Sequence, residues 1–521
     1  MKDATPSMYP PAMDREDVPE VAIVGGGIIG LTLALGLNKR GINAKVYEQA
    51  RSLREIGAGV AFTANAVRCM EQIDPRLVTA LRSVATSNGD PNNPNDHLQW
   101  VDGFNVDPEH PEDEKLLYKL YAGPRGFEGC HRAHFLDALL KVVPEGVLQF
   151  GKRLANVVEQ DEEEKVKLEF EDGTVAEADA VIGCDGIKSR VRELMFGSEN
   201  PVSHPTYTHK IAYRGLIPMD KAVEAVGESK AKNQHMHLGP QAHLLHFPVA
   251  NQKLMNVVAF APDPEEWEDS KTFVAPATRR DVEKVFAGWG TTVRSIVSLL
   301  PNDLDKWAVF DSSTFPVPCY NKGRICIAGD AAHAAAPHHG AGAGIGVEDA
   351  LCLSALLDKA ASVIQDDKAS KSQALKLAFI TFNTIRRKRT QWLVQSSHDV
   401  CEIYEWNHPK TGSDPDKCFE EIRRRSHKIW YFDYEDMVRE SSESFEWRVV
   451  IQALVNGDRK VDLPTLEQMR GGDDSESDSV SDSSIATPTE SRPNSPMQGL
   501  KLVTGAKAQS IGTVKQDSQI V

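Results

Sequence analysis

The 521-residue sequence predicts an α/β protein: a parallel-sheet nucleotide-binding unit, a mostly antiparallel sheet inserted into it, and a helical C-terminal region. Three observations predict it. A continuous apolar run, Val21-Ala22-Ile23-Val24, leads straight into a glycine-rich turn and an apolar helix. Residues 206–310 hold short strand-like runs cut by Gly-Pro and Pro-Asp turns. A second run of buried-strand type, Gly323-Arg324-Ile325-Cys326-Ile327-Ala328, then returns.

In chain order, residues 1–19 are Pro-rich, polar and unpatterned, and are expected to be disordered. Residues 20–205 alternate strands and helices and form the first part of the nucleotide-binding domain, with loops at Asp90–Asp96 and Pro108–Glu114. Residues 206–310 supply the inserted sheet, with strands around Arg214, His235–Leu238, Ala242–Val249 and Leu254–Phe260. Residues 311–375 return to the nucleotide-binding domain, and 376–470 are helical, with Trp392, Trp406, Trp430 and Trp447 supplying bulk. Residues 471–521 are acidic and Ser-rich, too poor in apolar groups to offset their ordering entropy, and read as a disordered tail.

Composition narrows the function. Hydrophobic residues at 41% and charged residues at 26% are those of an ordinary globular chain. A net charge of −16 argues against nucleic acid or an anionic membrane as main partner. One basic run, Ile385-Arg386-Arg387-Lys388-Arg389, reads either as an anion-binding patch or as the solvated end of a long helix. The eight cysteines form no CxxC pair, and several lie in apolar runs, which suits reduced thiols. The first twenty residues contain no apolar signal core, and no apolar run reaches the roughly 20 residues of a membrane span. A cytoplasmic protein, monomer or homodimer, is expected.

The first motif is Gly25-Gly26-Gly27-Ile28-Ile29-Gly30 after the strand, with Glu48 ending the next strand. Gly25 makes the tight turn, Gly27 lets backbone approach a pyrophosphate, and Gly30 lets helix pack on strand. The phosphate then meets free N–H groups at the positive end of the helix, and Glu48 can accept hydrogen bonds from a ribose. This unit does not separate NAD from FAD. The second motif is Ala180-Val-Ile-Gly-Cys184-Asp185-Gly186, a buried strand running into a basic helix start; taken by itself, Asp185 is more commonly an ordinary N-cap. The third, Gly329-Asp330-Ala-Ala-His333, opens a segment rich in Ala and Gly that reaches Ala350.

In this order the motifs resemble those of the single-component, FAD-dependent aromatic hydroxylases, the para-hydroxybenzoate and salicylate hydroxylase group. The likeness covers roughly residues 20–450, and the block with Ile429-Trp430 and Tyr434 is most similar to fungal salicylate hydroxylase-type members. It implies a Rossmann-like FAD-binding domain with an inserted substrate sheet. It also implies Asp185 near the cofactor pyrophosphate, Asp330 on the ribityl chain, and Arg132 on the phosphate or ribityl region. Ala61 would stand near the flavin, and Pro337, Gly342 and Ala343 belong to the flavin wall, where a side chain would displace the ring. The activity implied is hydroxylation of a small aromatic, phenolic or salicylate-like substrate. NAD(P)H reduces the flavin, which reacts with O2 at C4a. The chain has no second GxGxxG, which fits transient docking of the nicotinamide.

For the substrate, Arg214 matches a position that contacts a phenolate or carboxylate in related fungal hydroxylases. A tyrosine often follows one strand later; here Phe247 stands in its place, which removes a hydroxyl. His246 beside it is a candidate acid/base, with His235, His237 and His243 nearby, though each such histidine is more often a strand-surface or packed residue than a base. His333, His338 and His339 lack ligand spacing, so no metal is expected. Glu348 and Asp349 are expected to serve the first turn of their helix. The alternatives are an FAD-dependent monooxygenase tailoring a polyketide or terpenoid in secondary metabolism, and a non-catalytic chaperone on the same fold.

Overall fold

The structure is a computed structural model, and it describes residues 18–457 except 53–58, 106–113, 124–125, 160, 162–163 and 269–271. The segments expected to be disordered, 1–19 and 471–521, lie outside the described residues except for Val18 and Pro19.

Strand Glu20–Val24 sits inside a six-stranded sheet, parallel to Asn43–Tyr47 on one side and Ala180–Gly183 on the other. Ile325–Ile327 adds in parallel beyond Ala180–Gly183 and ends in a short antiparallel partner, Asn321–Lys322; Leu148–Gln149 closes the opposite edge. Both faces of the central strands are covered, which is why they read as unbroken apolar runs. Helix Ile28–Lys39 is buried over most of its surface. Its second apolar side meets helix Gly342–Gln365, where a Cβ on Gly36 would lie 2.5 Å from the Ser354 hydroxyl. A three-stranded antiparallel ribbon, 154–178, precedes Ala180–Gly183.

The second sheet has eight strands, in the order Val274–Thr278, Asp303–Asp311, Thr206–Pro218, Leu254–Pro262, His243–Val249, His235–Leu238, His97–Asp102 and Leu116–Tyr121. All neighbours are antiparallel except His235–Leu238 with His97–Asp102. The sheet is therefore larger than the expected 206–310 insertion. Two strands come from the segment assigned to nucleotide binding, because alternation of apolar residues marks a strand without naming its partner. The boundary drawn at 375/376 falls inside one 34-residue helix, Lys371–Tyr404. Helices Pro415–Trp430 and Tyr434–Val455 complete the described chain. The Asp90–Asp96 loop carries a minimal hairpin, Gly89–Asp90 with Asn93–Pro94.

Two other expectations are corrected. Glu348 and Asp349 lie in the second turn of helix Gly342–Gln365 and face inward, not at its N-terminus. The run at Ile385–Arg389 is not a solvated end, because Arg386 is fully buried. It donates to Glu348 and Asp349 at 2.8 Å each, Arg389 donates to Glu348 at 2.8 Å, and Phe432 lies over both guanidiniums. All eight cysteines are free, seven of them buried. Among the described residues no helix is long and apolar enough to cross a membrane.

Candidate active site

The glycine turn behaves as its sequence requires. Gly25 takes φ +105°, and a Cβ there would lie 2.5 Å from the Cys184 carbonyl oxygen; a Cβ on Gly30 would lie 2.0 Å from the Gly25 carbonyl oxygen. Gly27 differs. Among the described residues only the Arg132 guanidinium, at 3.9 Å, stands within 4 Å of its Cβ position, and helix Ile28–Lys39 starts there without a side-chain cap. Free helical N–H groups, bare backbone and an arginine opposite suit a phosphate group. Glu48 accepts from the backbone N–H of Gly26 and of Ala50, both at 2.7 Å, so it braces the turn at the place where a ribose would lie.

Asp185 is not the N-cap of the next helix; Ser189 is, accepting from Arg192 N–H at 2.9 Å. Asp185 instead accepts from the Ser189 hydroxyl at 2.5 Å and the Val191 N–H at 3.1 Å, with its Cα packed beside Gly25. Buried Arg192 then donates to the Ala331 carbonyl at 2.9 Å, which fastens this turn to the Gly329-Asp330 segment. Gly329 is at φ +61°, and its N–H donates to Asp349, which also takes a hydrogen bond from His333 at 2.5 Å. Burial pushes Asp349 up, but His333 and Arg386 together hold it below the usual carboxylate range. Asp330 is open to the cleft yet ringed by protein. Desolvation raises its carboxyl above the ordinary value, against the pull of His333, Arg132 and Arg192.

From Asp330 the cleft widens into a cavity of about 300 Å³. One wall is Pro337 to Ala343, where helix Gly342–Gln365 begins without a side-chain cap and Asp330 Oδ1 lies 4.0 Å from the Gly342 Cβ position. The hairpin of Gly59–Phe62 and Glu128–His131 brings Ala61 to the second wall. The eight-stranded sheet gives the third, with Arg214, Phe247 and Phe260, and Trp100, Tyr404 and Trp430 also line the space. Residues in the cavity wall thus include Arg214, Phe247, Ala61, Asp330, Pro337, Gly342 and Ala343. Gly25, Gly27, Gly30, Glu48, Arg132 and Asp185 lie outside that wall, on and around the glycine turn.

Arg214 is the electrostatic feature of the cavity. Its guanidinium lies over the Trp307 ring at 4.8 Å, its Nε is buried without a hydrogen-bond partner, and it forms no ion pair among the described residues. Desolvation alone lowers its pKa to about 10. Asn256, in register with Phe247, has a buried Nδ2 without a partner as well.

His246 is a correction. Strand alternation turns it to the other face, where it stacks on His235 at 5.2 Å with neither ring nitrogen bonded, and burial holds it well below the ordinary imidazole range. Sequence reasoning missed Trp100, Phe260 and Tyr404 as wall residues, since nothing local distinguishes them from core aromatics. His339 reaches the cavity, but its Nε2 is tied to Ser396 at 2.9 Å beside Arg425. Two groups of donor atoms among the described residues converge within 4.8 Å, His243–His338–Cys401 and Cys401–Glu402–Glu405. The shared thiol is pushed well up by burial and by Glu405, which opposes a thiolate ligand.

Residues 19–395 match the FAD binding domain family. The chain belongs to this family, and it is an FAD-dependent monooxygenase. It is 50% identical over 443 residues to an FAD-dependent monooxygenase of Monascus ruber, covering 84% of this chain and all of that one. It is also 50% identical over 449 residues to a salicylate hydroxylase of Sarocladium schorii, covering 84% and 93%. A solved salicylate hydroxylase substrate complex superposes with TM-score 0.71 at 31% identity, covering 82% of this chain and 98% of that one. The predicted fold class, FAD-binding domain, inserted sheet and helical C-terminal region, is that of these relatives.

Proposed function

We propose that the protein hydroxylates a phenolic ring, bound as its anion, using NAD(P)H and O2. The carrying observation is Arg214: a desolvated guanidinium without a counterion among the described residues, facing an aromatic-walled cavity. A phenolate or ortho-carboxylate supplies the missing charge, and a charge-assisted bond there favours the ionised, electron-rich ring.

The residues present fit FAD. Gly27 and the uncapped start of helix Ile28–Lys39 would hold the pyrophosphate with Arg132, Glu48 the adenosine ribose, and Asp330 the ribityl chain. Asp185 would act through the turn it braces. Pro337, Gly342, Ala343 and Ala61 would flank the ring, with the positive end of helix Gly342–Gln365 toward it. FAD, when bound, supplies the redox chemistry, taking a hydride from the nicotinamide and delivering oxygen from O2. Around it the chain's share is orientation and dryness. Arg214 aligns the anion, while Phe247 and Phe260 present apolar faces that exclude water. Phe247 has no proton to give or take.

A small aromatic polyketide satisfies the same chemistry as a salicylate. The test is NAD(P)H oxidation by the yellow holoenzyme across a panel of phenolic acids and phenolic ketones, with product mass spectrometry. Stimulated oxidation with a product one oxygen heavier supports the reading. Indifference to the whole panel sinks it.

A further inference from the structure

Arg214 has a carboxylate opposite it in the sheet and leans on an indole instead. Strand Thr206–Pro218 pairs with Asp303–Asp311 so that Arg214 faces Asp305 and Ala212 faces Trp307. In an antiparallel pair, residues in direct register project to the same side about 5 Å apart at Cβ, and the diagonal neighbour lies farther off. Asp305 is exposed, and among the described residues Arg214 makes no ion pair with it; burial is the one influence on the guanidinium. The guanidinium lies instead 4.8 Å over the ring of Trp307, the diagonal neighbour. It passes over the nearer group of opposite charge.

The indole is itself held in place. Trp307 packs against Ala212, Val258, Phe260, Val309 and Ala336, and of these Val258 and Phe260 line the cavity. Trp307 stands behind that wall rather than in it, so it acts on a ligand through Arg214.

Resting on the reading that Arg214 meets an anionic substrate, we propose that Trp307 is a positioning residue, whose ring holds the guanidinium at the cavity and away from Asp305. The two grips differ chemically. A carboxylate occupies N–H donors and cancels the charge that the substrate has to meet. An indole face attracts the cation through its quadrupole and leaves the donors at the edge of the guanidinium plane free. Arginine also has much rotamer freedom to lose, and ordering it before the substrate arrives takes that cost out of binding. Arg214 therefore supplies the charge, and Trp307 supplies its direction.

The experiment is calorimetric titration of the FAD-loaded enzyme with salicylate and with 4-nitrophenol, with thermal unfolding of each variant alongside. Trp307→Leu should weaken binding about tenfold, and Trp307→Phe, which keeps a π face, by less. Two further results separate positioning from packing, since a merely structural role would move the unfolding temperature without producing either. Adding Asp305→Asn to Trp307→Leu should recover part of the affinity, because the competing carboxylate is gone. In an Arg214→Met background, Trp307→Leu should cost no further affinity. Trp307→Met, which fills the space without a π face, takes the place of the leucine variant if that one fails to fold. Full affinity in these variants, a loss that persists without Arg214, or a loss that Asp305→Asn does not relieve overturns the proposal and leaves Arg214 as the partner of the anion. A wild type that binds neither probe, or binds them no better than Arg214→Met, overturns the anion reading and this one with it.

Discussion

Arg386 and Arg214 are both guanidiniums drawn out of water, and the protein treats them oppositely. Arg386 is saturated: Asp349, Glu348 and the Ile345 carbonyl accept from it, and Phe432 covers it. Arg214 has Trp307 beneath it and no acceptor among the described residues. Neutralised charge in the first case ties helix Lys371–Tyr404 to the helix that starts at the cavity wall. Un-neutralised charge in the second is what the anionic substrate proposed above would answer. The difference teaches that a buried cation is read by its partners, not by its burial.

The largest expected effect is on the saturated side. Arg386→Met leaves Asp349 with His333 and Glu348 with Arg389, each carboxylate short of a partner in the interior. It should cost about 3–5 kcal/mol of stability, read by denaturant unfolding of the holoenzyme. A loss under about 1 kcal/mol would mean that Arg389 and His333 suffice.

Arg214→Met should do the reverse. With no partner to orphan, stability should hold or rise, while affinity for a phenolic acid should fall by about 2–5 kcal/mol, at least some thirty-fold. Binding titration beside thermal unfolding separates the two. Equal loss of stability and affinity would show that Arg214 belongs with the framework.

The contrast also marks how far the sequence could be read. Gly25, Gly27, Gly30 and Glu48 were legible because their roles depend on backbone within one strand-turn-helix, and a few residues carry the whole constraint. The placement of Asp330 and Arg214 on the wall of one cavity was legible only through resemblance to a family. The pairing of Arg386 with Glu348 and Asp349 was not legible, since the partners are 37 and 38 positions apart and a basic run looks the same solvated or buried. His246 misled for a simpler reason: adjacent strand residues face opposite sides, and no local signal says which side holds the cavity.

Between the paired and the unpaired cation stands a third case, a group that escapes burial by losing its charge. His235 and His246 stack on the back of the sheet, and desolvation lowers His235 to about 4 and His246 well below the ordinary value. A folded-state value below the unfolded one, near 6.5, means their stabilising contribution is complete above pH 6.5 and is lost as pH falls toward 4. For His235 alone the loss is about 2 kcal/mol by pH 5. Unfolding at pH 7.5 and pH 5 should show it, and His235→Phe should remove that part of the drop. An equally steep drop in the variant would assign acid sensitivity to the carboxylate network instead.

The smallest effect concerns a neutral orphan. Asn256 Nδ2 is buried without an acceptor, and it and the Phe247 ring tip crowd the same point, 3.9 and 3.2 Å from the Gly59 Cβ position. A hydroxyl at that tip adds an acceptor within the same small volume. Phe247→Tyr should therefore gain up to about 1 kcal/mol of stability by satisfying Asn256. In an Asn256→Leu background the gain should vanish, since the coupling is between neighbours. A gain that persists there would place the hydroxyl's partner elsewhere, and a loss would mean that Gly59 leaves the ring no room to carry it. Either result would leave the Asn256 amide without the partner that the ring tip's position offers it.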